Sequence, residues 1–94
     1  MRQHLTPLQQ AIRRHAKAGN LRSLAIMYRC GKTAPTLFSC AMFLAVGFAK
    51  RGKYKAYRAM LRRARLHAAD DYSRLLLVKI CEQGMSSPDH PSEE

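Results

Sequence analysis

Three thiols and four imidazoles are the side chains of this 94-residue chain most able to do chemistry, and their spacing gives them little to do it with. Cys30, Cys40 and Cys81 make an odd count with no CxxC pair, which indicates neither a disulfide framework nor a zinc site. Free thiols acting as small apolar residues in a reducing compartment are the expectation, and with them a cytoplasmic location. His4, His15, His67 and His90 are scattered, and none stands at ligand spacing from a Cys, Asp or Glu. Residues 1–69 offer no carboxylate as a general base, the serines lack a Ser/His/Asp context, and there is no glycine-rich loop to cradle phosphate. The chain is therefore expected to be no enzyme and to carry no metal or cofactor.

Positive charge is what it has in abundance. The formal net charge is +11, and residues 1–69 hold fifteen of the seventeen Lys and Arg without one Asp or Glu. All six acids follow (Asp70, Asp71, Glu82, Asp89, Glu93 and Glu94), with only Arg74 and Lys79 among them. This imbalance points to a polyanion, a membrane surface or an acidic protein as partner. Lys55, Arg58, Arg62, Arg63 and Arg65 form a basic stripe that could track a phosphate backbone, making nucleic-acid binding one expectation. If about five of them touched phosphate, log affinity would fall with log salt at a slope of about −4 to −5. No RNA-recognition signature or zinc knuckle accompanies the stripe, and the spacing of Tyr54 and Tyr57 assigns them to an apolar helix face rather than to base stacking. Membrane association is disfavoured, because the basic segments carry no Trp or Phe anchor and the longest apolar run, Leu37 to Ala49, falls short of the roughly 20 residues a span needs. The first residues lack the apolar region of a signal peptide. They are Arg-rich and acid-free as a transit peptide would be, but they also fit the helical pattern below.

The elements that must carry these side chains read as helices throughout. Thr6-Pro7-Leu8-Gln9 is a start signal: a capping threonine, proline at the first helical position, and glutamine to complete a capping box. Leu8, Ile12, His15 and Ala16 then share a face up to Gly19-Asn20, where Asn20 can cap a second helix. That helix places Leu21, Leu24, Ala25 and Tyr28 together and closes at Gly31. A third starts near Thr33 or Ala34 and runs to about Arg51; it is apolar on nearly every side, which requires burial or a covered groove. Gly52 ends it, and a fourth from Lys53 to about Ala68 aligns Tyr54, Tyr57, Leu61, Ala64 and Ala68. Asp70 or Asp71 caps a fifth, using Tyr72, Leu75, Leu76, Ile80 and Cys81 and ending at Gly84. No strand pattern competes, so the expected fold is all-α with five helices in one domain over 1–84, and an acidic disordered tail over 85–94.

The helices repeat. Gly19, Gly52 and Gly84 are 33 and 32 residues apart, and the segments leading to them align as His15–Gly19, Phe48–Gly52 and Ile80–Gly84. Ala11/Leu44/Leu76 and Ile12/Ala45/Leu77 are apolar columns behind them. A helical hairpin at that period is the pattern of a solenoid, in which each unit buries its apolar face on the next. The second unit, Ala41–Ala69, resembles a tetratricopeptide repeat: Leu44, Phe48, Gly52, Tyr54 and Ala64 occupy its apolar, aromatic, turn-glycine, aromatic and alanine positions. It departs from that pattern at Tyr57, where a small residue is usual, at Ala45, where glycine is, and near Ala69, where proline is. Pentatricopeptide repeats, which bind RNA, have a similar register.

The resemblance implies about two and a half hairpins, with the first helix of each lining a groove for a partner's peptide or helix. The matching groove positions are Gln9, Arg13 and Lys17 in the first unit and Met42, Val46 and Lys50 in the second. Apolar in the middle and basic at the ends, they suit a partner's amphipathic helix. The chain is also similar in length and helix count to the tetratricopeptide-like chaperones that clasp the needle subunit of type III secretion systems, often with a small helical co-chaperone. A non-enzymatic chaperone or adaptor of such an assembly is the function this implies.

Overall fold

The computed structural model describes residues 6–85 and contains five α-helices and, among those residues, no strand. They are α1 (Pro7–Ala18), α2 (Leu21–Cys30), α3 (Ala34–Lys50), α4 (Tyr54–Ala68) and α5 (Tyr72–Met85). The all-α expectation is met. The acidic tail beyond Met85 lies outside the described residues, as do His4 and His90.

Local chemistry sets most of the helix ends. The Thr6 hydroxyl accepts from the Gln9 amide at 3.1 Å while Gln9 Oε1 accepts from the Thr6 amide at 3.2 Å, completing the capping box. Thr33 caps α3 by accepting from the Thr36 amide, and Asp71 caps α5 by accepting from the Arg74 amide at 3.1 Å. Asn20 does not cap α2; its amide nitrogen instead lies 3.3 Å from His15 Nδ1, tying the turn back to α1.

The first two hairpins close in the same way. Gly19 and Gly52 hold φ of 78° and 75°, a left-handed conformation that suits glycine. The amide of Asn20 bonds the His15 carbonyl at 2.9 Å, and the amide of Lys53 bonds the Phe48 carbonyl at the same distance. These two bonds are 33 residues apart, so the sequence period is also a period of backbone geometry. Gly84 does not join them: it lies within α5, which continues to Met85 rather than ending at the glycine.

α3 is the central element, packing on α1, α2 and α4, while α5 packs on α4. This explains why α3 is apolar on nearly every side. Ile12, Leu24, Cys40 and Leu44 form one buried cluster where α1, α2 and α3 meet. Ala45, Tyr57 and Leu61 form a second between α3 and α4, and Phe38, Ala41, Ala64, Ala68 and Val78 a third that reaches α5. The alanines at these crossings let backbones approach where larger side chains would hold them apart. Two tyrosine hydroxyls add cross-links: Tyr57 donates to the Cys81 carbonyl at 2.9 Å, and Tyr28 pairs with His67 Nε2 at 2.7 Å.

Several residues expected on inner faces are not there. Leu8 and Tyr54 stand exposed in the first turns of α1 and α4, and Ala25 is exposed on α2. In α5 the inward residue is Val78, flanked by half-buried Arg74, Leu75, Cys81 and Glu82. Tyr72, Leu76 and Ile80, expected inside, face outward.

Candidate binding groove

A groove of about 710 Å³ runs between α1 and α3 toward their C-terminal ends and reaches Leu21 at the start of α2. Two sets of residues exactly one period apart make its walls: Gln10, Arg13, Arg14 and Lys17 from α1, and Phe43, Val46, Gly47 and Lys50 from α3. Each set has the i, i+3, i+4, i+7 spacing of a single helix face. Ala16, Ala18, Gly19, Leu21 and Arg51 complete the lining.

Of the six groove positions expected from the sequence, Arg13, Lys17, Val46 and Lys50 line this space, and Gln9 and Met42 do not. Gln9 is engaged in the capping box, and Met42 is half-buried against the Phe38 and Tyr57 clusters. The discrepancy has a geometric cause. Stepping by four residues twice accumulates about 80° of drift on a helix of 3.6 residues per turn, so 9/13/17 and 42/46/50 slide off the face. Gln10, Arg14, Phe43 and Gly47 were missed for this reason, and adding the residues three positions before Arg13, Lys17, Val46 and Lys50 recovers all four.

The floor is apolar and the rim cationic. Val46 is 39% exposed on the floor, with Phe43, Leu21 and Ala16 beside it. Gly47 lets α3 come against Leu21, because a Cβ there would run into the leucine's methyl groups. Arg13, Arg14, Lys17, Lys50 and Arg51 surround the floor, and among the described residues no Asp or Glu lines the groove. The Arg51 guanidinium donates to the Gly19 carbonyl at 3.0 Å, joining the first turn to the second and fixing one end of the rim. Lys17 and Lys50 sit in last turns, where a cation is favoured by the helix dipole; Arg13 and Arg14 have no such local reason. The described acids are remote from the rim in their bonding: Glu82 pairs with Arg65, and Asp71 with Arg74 at 3.8 Å.

The basic stripe on α4 is exposed along its length at Lys55, Arg58, Arg62, Arg63 and Arg65, but Arg65 is held by Glu82. Tyr57 is buried and its hydroxyl is engaged, so it is not available to stack on a base. Cys30 is exposed, Cys40 buried and Cys81 half-buried, all as free thiols. Burial pushes both the Cys40 and the Cys81 thiols up, which suppresses the nucleophilic thiolate. Among the described residues no three His, Cys, Asp or Glu come together as a metal site, and no helix is long and apolar enough to cross a membrane. No family model, curated protein or solved structure matches the chain.

Proposed function

We propose that this chain is a non-enzymatic binding protein that holds an amphipathic helix of a protein partner in the α1–α3 groove. One observation carries the proposal: an apolar floor with a five-cation rim and, among the described residues, no lining acid. The wall from Gln10 to Lys17 spans about 10 Å, or two helical turns, which matches one i, i+3, i+4, i+7 set on a partner helix. The partner's apolar side chains would lie on Val46, Phe43 and Leu21, and its acids on Arg13, Arg14, Lys17 and Lys50. A contact of that size makes a weak, salt-sensitive complex. A chaperone or adaptor role in a secretion-type assembly, as the tetratricopeptide-like pattern implies, is the biological form of this proposal.

Nucleic-acid binding is the second reading, supported by Lys55, Arg58, Arg62 and Arg63, which are exposed on α4 and ion-paired with no acid among the described residues. With Arg65 engaged by Glu82, four cations remain for phosphate and the slope against log salt drops to about −3 to −4.

Titration of two labelled probes separates the readings: a helical peptide with a leucine stripe flanked by glutamates, and a single-stranded RNA. Val46→Asp is exposed enough to leave the fold intact and is expected to weaken peptide binding about tenfold or more, through the charge placed on the floor. Arg58→Glu with Arg62→Glu should leave the peptide affinity unchanged. RNA binding tighter than peptide binding, lost in the α4 double variant and untouched by Val46→Asp, would overturn the groove proposal in favour of the stripe.

A further inference from the structure

The face of α5 turned away from its packing against α4 is apolar, where an exposed helix face is normally polar. Tyr72 is 76% exposed, Leu76 42%, Leu77 49% and Ile80 55%, and they stand across the helix from buried Val78. Ser73 and Gln83 are the uncharged polar residues among them, and Lys79 lies at the edge. Four large apolar side chains on two successive turns amount to an interaction surface rather than scattered exposure. A helix with one face packed on α4 and such a stripe on the other ordinarily has that stripe covered by something else.

We propose that a second copy of this chain covers it, with two α5 helices antiparallel about a two-fold axis at Leu76. The stripe is symmetric about Leu76: Tyr72 and Ile80 lie one step of four residues and about 40° of helix rotation to either side of it, so a two-fold axis at Leu76 sets Leu76 on its partner's Leu76 and Tyr72 on Ile80, twice, with the helices crossed to follow the drift. The charges agree with the same register. Asp70 is exposed just before α5, Asp71 being taken up by the cap and by Arg74, and Lys79 is exposed in the second half of the helix. An antiparallel pair turns each Lys79 toward the other copy's Asp70, and opposes the two helix dipoles favourably. Charge also argues against other faces. α1 to α4 carry cations and no acid, so apposing them in two copies would set like charge on like, whereas the α5 face presents both signs around an uncharged centre. This inference is independent of the groove and its ligand.

Sedimentation equilibrium of the full chain from micromolar to submillimolar concentration is the test. A monomer–dimer equilibrium is expected, with Leu76→Glu weakening it about tenfold or more. Lys79→Glu should weaken it as well, and adding Asp70→Lys to Lys79→Glu should restore it; circular dichroism confirms that each variant remains folded. A wild-type chain that stays monomeric at submillimolar concentration overturns the proposal, as does a dimer indifferent to Leu76→Glu. Failure of the double exchange to restore association overturns the antiparallel register. The peptide titration keeps the two surfaces separate: Leu76→Glu should bind the acidic peptide as the wild type does, and Val46→Asp should still associate.

Discussion

Ala69 is where a single residue departs most from its ordinary chemistry. Its φ of 53° with ψ of −124° is backbone that glycine adopts freely and a residue with a Cβ does not, and it forms the turn between α4 and α5. The tetratricopeptide pattern puts proline near this position, but a proline ring holds φ near −65° and cannot make this turn. Ala69→Gly is therefore expected to stabilise the chain, by about 1 kcal/mol after the extra freedom of the unfolded glycine is offset, read as a higher urea midpoint. An unchanged or lower midpoint would show that the turn is unstrained. The residues legible in the sequence were those whose role is local. Thr6 and Asp71 cap because a side-chain oxygen three residues before an amide needs nothing else. Asn20 was illegible because its use depends on where His15 lies after the turn has formed.

At the scale of elements, the existence of all five helices could be read, while the end and the orientation of the last could not. α1 and α4 alternate apolar and basic residues at helical spacing, so their inner residues Ile12, Tyr57, Leu61 and Ala64 announce themselves. In α5 the run Leu75-Leu76-Leu77-Val78 covers every side of a turn, and the pattern alone assigns no inner face. Packing decides it: Val78 seats against Phe38, Ala41, Ala64 and Ala68, and Tyr57 anchors the Cys81 carbonyl. The same ambiguity hid the outer stripe. Two truncations check the assignment by urea unfolding at concentrations too low for association. Val78→Ala empties a fully buried site and should cost about 2 kcal/mol, whereas Leu77→Ala removes a larger but exposed side chain and should cost about 0.5 kcal/mol or less. Equal costs would mean that α5 is rotated relative to its place here.

Over the whole molecule, the separation of charge was plain in the sequence and the structure gives it a geography. Cations ring the α1–α3 groove and follow α4, while the described acids sit at the start of α5 and on Glu82. Ionisation at high pH probes the interior behind that surface. Cys40 is pushed up by burial alone; burial also leads for Tyr57 and Cys81, whose mutual contact and the neighbouring Glu82 carboxylate complete the causes. All three groups are neutral in the fold and ionise more readily in the unfolded chain. Their contribution to stability is thus fully present below the ordinary thiol range and is lost as pH rises toward the folded values. The urea midpoint is expected to be level from neutrality to about pH 8.5 and to fall between about pH 8.5 and 10. Cys40→Ala, compared with its own neutral-pH midpoint, should fall less steeply over the same interval. A midpoint that stays level through about pH 10 would mean that these groups are as well solvated in the folded chain as in the unfolded one.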